Sequence, residues 1–342
     1  MLHLDPAPPA SASRSPLQRA CSRLAAGAGL LVLALVILVA CAWLVGDTSL
    51  WWQRLSWIPA VLLLPPLVLA LVLAIWVQGR GGSVLRAFLW LGLLFVGAWV
   101  CGVDYGAFRA RPEQVGDLEL VHWNAGSLWG LQVTDPVVEE VRALDPDLLI
   151  ITNPGTRLWS SASRTFSESW PYTARNYAAH VLCRFPIRTC RPILSAAGSQ
   201  VVLIELEVQD QSLRIWAVDL PSDPTLVRRT LFDDLADRLE SLQLDPPDLV
   251  LGDFNVPLNS VSLQRAFPSM ANAFDQVGVG WHGTWPSEFP LWQLDQVLLG
   301  ARVEGIRYQV FPSSHGAHRI QQAVVRPRSG VVEVEAAPSP AP

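Results

Sequence analysis

The stretch LVLGDFNVPLNS, Leu249 to Ser260, decides the fold. An apolar run of strand length stops at Gly252, and Asp253 and Asn255 follow with Phe254 between them. Short runs rich in Val, Ile and Leu read as buried strands. A carboxylate and an amide at the end of one either close it as an Asx-turn or are delivered together to a site. Similar runs recur on both sides: LELVHWNAG, DLLIITN, AAHVLCRF, VVLIELEV, LRIWAVDL, LDQVLLG and RIQQAVV. Two segments read as helices. Asp135 and Pro136 open VVEEVRAL as N-cap and first-turn proline. Thr225–Leu242 places Leu226, Leu231, Leu235, Leu239 and Leu242 at helical spacing. Each helix is followed by a Pro-Asp pair and an apolar strand, an echo that predicts two similar strand–helix–strand halves whose strand ends share one edge.

The front of the chain is different. The whole sequence is 51% hydrophobic with a mean hydropathy of +0.30. The excess lies in three stretches, at 24–45, 57–77 and 84–103, each near the ~20 apolar residues that cross a bilayer. The first is long for a signal-peptide core and two more follow, so an uncleaved membrane domain is expected. Pro65-Pro66 predicts a kink in the second. Tryptophans 43, 51, 52, 57 and 99 lie near span ends, where an indole sits half in water. Every basic residue is arginine. Arg14, Arg19 and Arg23 precede the first span, Arg80 and Arg86 lie in the second loop, and only Arg54 lies in the first. That bias places the N-terminus in the cytoplasm and the segment after the third span outside, as in a bacterial inner-membrane protein. The expected organisation is a disordered tail over 1–23, the spans within 24–103, a linker over 104–117, a domain over 118–328 and a disordered tail over 329–342. From residue 113 onward 17 arginines face 27 aspartates and glutamates, a formal −10, so a duplex-DNA binder working through phosphate contacts is not expected. Cys183 and Cys190 flank a turn; outside the cytoplasm they could pair, and two reduced cysteines in neighbouring strands is the other reading.

With these residues in view, Leu118 to Val325 resembles the endonuclease/exonuclease/phosphatase superfamily of metal-dependent phosphoesterases. LVHWNAG resembles the first strand and its metal-site asparagine, Asn124. PDLLIITNP resembles the strand that normally ends in Gln-Glu, and AHVLCRFPI a following strand and turn. WAVDLPSDPTLVRR resembles the strand that normally ends in His-Leu-Pro. LVLGDFN is the most specific match; DQVGVGWHGTWP, QLDQVLLG and GAHRIQQAVV complete the order. The resemblance implies a four-layer α/β sandwich, two mostly antiparallel sheets face to face with a helical layer outside each. It also implies roles. Asp253 orients or deprotonates the attacking water, Asn255 holds a phosphate oxygen, and Asp295 and His318 form a carboxylate–imidazole dyad.

The resemblance breaks at three positions. Asn153, after Thr152, stands where a metal-binding glutamate is expected. Ala317 stands for the aspartate before the last histidine, and Asp219 for the histidine that binds phosphate. A magnesium or manganese site could have shifted to Asp219, Asp253 and Asp295 around Asn124 and Asn153; otherwise the domain has lost its reaction and serves as a binding or scaffolding module. His315 in SSHG is a rival placement for His318. Tethering and acidity favour lipid head groups or small phosphorylated molecules as substrates. Arg184 reads as a turn brace or a phosphate contact, and Arg228 and Arg229 as solvated. His122 reads as structural and turned from the neighbours of Asn124, His180 and His282 likewise as structural, and Thr284-Trp285 as packing.

Overall fold

The computed structural model describes residues 15–77, 79–106, 109–126, 135–154, 167–313 and 316–328. His315 and the expected tail over 329–342 lie outside the described residues, as does most of the tail expected over 1–23. The chain forms two compact units, one comprising residues up to Cys41 with Ala60–Trp99, the other Ala42–Pro59 with everything from Val100.

In the N-terminal part of the chain, α1 (Pro16–Val45) begins ahead of the expected Leu24. After α2 (Leu50–Ser56), a 3-10 turn at Ala60–Leu63 leads into α3 (Leu64–Leu73), and a second at Ala74–Trp76 ends it. α4 (Gly79–Trp99) continues as a π turn to Asp104. Two helices, Pro16–Val45 and Gly79–Asp104, are long and apolar enough to cross a membrane. A third counts only if α2 and Ala60–Trp76, bent by 76° at their junction, are taken together. Pro65 and Pro66 do not kink a helix as expected. They sit in the first turn of α3, where a missing N–H leaves nothing unpaired.

The second unit carries two six-stranded sheets. Its strands, in chain order, are β1 (Tyr105–Gly106), β2 (Leu118–Asn124), β3 (Leu148–Thr152), β4 (Tyr172–Arg175), β5 (Ala179–Cys183), β6 (Ile187–Ala196), β7 (Ser199–Val208), β8 (Gln211–Asp219), β9 (Leu249–Asp253), β10 (Ala271–Asn272), β11 (Gly280–Trp281), β12 (Asp295–Leu299), β13 (Val303–Phe311) and β14 (Ile320–Pro327). One sheet runs β13-β14-β2-β3-β5-β4, the other β10-β12-β9-β8-β7-β6, and β1 pairs separately with β11. Among the described strand pairs, only β2/β3 and β8/β9 are parallel. A parallel pair requires a crossover, supplied by α5 (Asp135–Ala143) and α6 (Arg228–Ser241). These are the two echoing halves, one per sheet. Short helices α7 (Val261–Ala266) and α8 (Ala273–Val277) follow β9 and β10.

Alternation along the strands sorts the core into layers. Leu120, Ile150 and Val181 of one sheet pack against Ile204, Ile215 and Leu251 of the other. On the outer faces, Val121, Leu149 and Ile151 meet Val141 of α5, while Val201, Trp216 and Val250 meet Phe232, Leu235 and Leu239 of α6. The result is the four-layer α/β sandwich. The expected linker, 104–117, is bound to it: β1 lies on β11, the Arg111 N–H donates to the Ile306 carbonyl, and Asp117 pairs with Arg326 at 2.7 Å. Cys183 is buried and both it and Cys190 are free thiols.

Candidate active site

Three strands of the second sheet end side by side in carboxylates. Asp219 of β8 is in register with Asp253 of β9, and Asp253 with Asp295 of β12. Gly252 lets the strands approach this closely: its φ of +139° suits glycine alone, and a Cβ there would collide with the Val218 carbonyl. Beyond it, Asp253 accepts the Asn255 N–H on Oδ1 at 2.9 Å, which is the Asx-turn reading, while Oδ2 accepts from Asn124 Nδ2 at 2.9 Å. The turn and the site therefore coexist in the same carboxylate. The Asn124–Asp253 bond also joins the two sheets at this edge.

His318, just ahead of β14, completes the cluster. Its Nδ1 lies 2.7 Å from Asp295 Oδ2, and its Nε2 faces Asp253 Oδ2 at 3.9 Å. Asp253, Asp295 and His318 are all buried, with ligand-capable atoms within 4.8 Å of one another. Burial alone would drive the His318 pKa down, but Asp295, then Asp253 and Asp219, raise it to about 9, so the ring is an imidazolium at neutral pH. Burial opposes the Asp295 charge too; its ion pair with His318 outweighs this and holds its pKa low. The remaining carboxylates bear the cost of crowding. Burial, then repulsion from Asp295, lifts Asp253 well above the usual carboxylate range and Asp219 to about 7.

Asn255 is at this edge, but its Nδ2 donates to the Leu220 carbonyl at 2.7 Å, so its amide is engaged with backbone. Asn153 lies one residue past β3 in the left-handed region, at φ +53°, with its N–H on the Ala178 carbonyl. Asp219 is half-buried, and no side-chain hydrogen bond to it forms among the described residues.

Several site neighbours escaped the sequence reading. His122 is two residues from Asn124, and a period of two puts both on one face rather than turning His122 away. It bonds Gln321 at 2.7 Å and Thr152 at 2.9 Å, and Gln321 donates in turn to the Asp295 carbonyl. Thr284 is more than packing: its hydroxyl accepts the N–H groups of Leu294 and Asp295, fixing the start of β12. Arg184 braces the turn through Asp147 and Asp145. Arg228 is fully buried, not solvated. Its guanidinium donates to the carbonyls of Pro221 and Asp223 and lies over the Trp57 ring at 5.4 Å. Arg229 is on the surface, 3.1 Å from Asp233.

What buries Arg228 is the segment between α1 and the second apolar stretch. Gln53, itself fully buried, accepts the Arg228 N–H at 2.9 Å and donates to the Leu226 carbonyl at 3.0 Å. Asp47, 1% exposed, accepts from the Ser260 hydroxyl at 2.5 Å and the Ser262 N–H at 3.0 Å. The Trp57 carbonyl accepts from Trp292 Nε1 at 2.7 Å. No pattern within 46–57 foretells these contacts, because every partner lies more than 170 residues away.

Comparison with known proteins agrees with this architecture. The model of the Endonuclease/Exonuclease/phosphatase family matches residues 121–329. Solved structures similar to this chain include truncated TDP2 from Caenorhabditis elegans, at 14% identity and a TM-score of 0.47 over 61% of this chain and 98% of that one. A mannosyl-6-phosphatase from Bacteroides thetaiotaomicron is similar at 12% identity and 0.48, over 61% and 99%. A further family protein from the same organism gives 13% and 0.48, over 61% and 97%. No curated protein sequence matches the chain.

Proposed function

Because the chain belongs to the endonuclease/exonuclease/phosphatase family, we propose that it is a membrane-anchored, metal-dependent phosphoester hydrolase. The observation that carries this is the buried Asp253–Asp295–His318 cluster, assembled from both sheets at one edge. Water adds to phosphorus, the P–O bond to the leaving alcohol breaks, and the alcohol departs with a proton. Asp253, oriented by Asn124, takes the proton of the attacking water. His318, held by Asp295, presents an N–H to the phosphate and donates toward the leaving oxygen.

The donor set fits a hard divalent cation. Crowding that raises the pKa of Asp219 and Asp253 would be relieved by a cation between them. Mg2+ or Mn2+ would be held by these carboxylates with the amide oxygens of Asn124 and Asn153. Bound there, it supplies neutralisation of charge on phosphate oxygens. The substrate class is a phosphorylated small molecule or lipid head group.

The anchoring is three spans with the N-terminus cytoplasmic and the domain outside, in a bacterial inner membrane. Residues 46–59 and the chain after Asp104 belong to one folded unit, which supports placing both on one side of the membrane. The stretch between them crosses an even number of times. α4 is one crossing; with α2 held in the folded unit, Ala60–Trp76 is the other, at the short end of the roughly 17–25 residues that cross a bilayer.

A second reading, a catalytically inactive binding module, is favoured by Asn153 and Ala317 at positions where the resemblance expects carboxylates. Calorimetric titration of Mg2+ and Mn2+ into the full chain, with Asp253→Ala as control, separates the two, together with release of p-nitrophenol from its phosphomonoester and phosphodiester. Binding and turnover lost in the variant support the hydrolase. If neither occurs and Asn153→Glu with Ala317→Asp creates both, the natural site is inactive on an intact scaffold.

A further inference from the structure

The strands that carry Asp219, Asp253 and Asp295 reach the site through three loops, and one segment of twelve residues, 46–57, holds all three. Gln53 binds the loop after β8 at Leu226 and Arg228. Asp47 binds the loop after β9 at Ser260 and Ser262. Trp57 binds the loop before β12 at Trp292. That loop is tied to the residue beside His318 as well, since the Ser287 N–H donates to the Ala317 carbonyl.

The same segment is confined by its flanks. Gly46 directly follows α1, and a side chain there would collide with Val261 of α7. Trp57 stands three residues before the apolar stretch opening at Ala60. A segment bounded this closely by apolar stretches on both sides stays at the membrane–water boundary, where Trp51, exposed at 65%, is at home. The buried Asp47 and Gln53 would be costly in hydrocarbon, so the segment lies on the aqueous side. The loops around the site lie against it. Phe289, in the loop before β12, adds an apolar side chain exposed at 66%.

We propose that the site opens at the membrane surface and takes its phosphoester from a lipid head group rather than from a molecule free in water. The inference rests on the hydrolase reading above. Water would attack the head-group phosphorus, the P–O bond to the leaving alcohol would break, and the acyl chains would stay in the bilayer throughout.

The test uses the full chain reconstituted with Mg2+ in phosphatidylcholine vesicles, and two matched pairs of probes. The monoester pair is phosphatidic acid in the vesicle against glycerol 3-phosphate in solution; the diester pair is phosphatidylglycerol against glycerophosphoglycerol. The expected result is that the lipid member of one pair turns over about tenfold faster or more, as confinement near a surface site raises its effective concentration, with the signal lost in Asp253→Ala. Equal rates within the pairs, or faster hydrolysis of the soluble members, overturn the lipid inference and leave the hydrolase reading standing. No turnover of any of the four overturns both.

Discussion

Replacing Gln53 by alanine removes the acceptor of the Arg228 N–H and the donor to the Leu226 carbonyl, at 2.9 and 3.0 Å, from a position with no solvent access. Water cannot enter to replace the side chain without disturbing the guanidinium stacked on Trp57. The buried Arg228 N–H left without a partner costs about 1–3 kcal/mol and the part-buried Leu226 carbonyl adds less, so Gln53→Ala should destabilise the folded unit by about 3 kcal/mol. For a unit of this size, 1 kcal/mol moves the midpoint by roughly 2–4 °C, giving a fall of about 6–12 °C. The assay is thermal unfolding of the full chain in detergent, followed by intrinsic tryptophan emission. The exposed Gln264→Ala serves as control, expected within about 0.5 kcal/mol of the parent. A Gln53→Ala midpoint indistinguishable from that control would refute the view that this segment is an integral part of the folded unit.

Further outcomes follow from other buried groups. Burial holds His180 and His282 near pKa 4, below the 6.5 of the unfolded chain. Both rings are neutral in the fold, so stability is full above pH 6.5 and declines as pH falls toward 4, by roughly 3 kcal/mol per ring; His180→Gln should flatten the urea midpoint against pH over that window, and an unchanged slope would contradict it. Thr284→Val strands the N–H groups of Leu294 and Asp295, and should cost about 2–4 kcal/mol by urea unfolding, with Thr284→Ser restoring most of it. Equal stability of the valine and serine variants would remove the hydroxyl from the account.

The sandwich was legible because its strands advertise themselves locally. LVLGDFN combines an apolar run, a glycine needed for close strand approach, and polar residues at a strand end. Asp253, Asp295 and His318 could be named because each adjoins such a run. What the sequence hid was set by distant partners. Arg228 looked like a surface residue at a helix start, and its cover comes from Gln53, 175 residues earlier. His122 was misjudged by a local rule applied with the wrong parity. Pro65-Pro66 read as a kink because nothing nearby signals that the α-helix begins at Leu64. The number of membrane crossings is likewise not a local property of the second apolar stretch.

The position of β14 sets the order in which this protein can mature. It is the last of the described strands, yet it lies between β13 and β2 inside its sheet, with His318 just ahead of it. β2 leaves the ribosome some 200 residues earlier and must wait, with that edge open, for its neighbour. Asp47 and Gln53 wait as well for loops not yet made. The site therefore assembles only once residue 318 has been made, and a nascent chain stalled before it carries no dyad. The interval also leaves the β2 edge exposed to chaperones and proteases, so the abundance of the protein should respond to quality control acting on the incomplete chain.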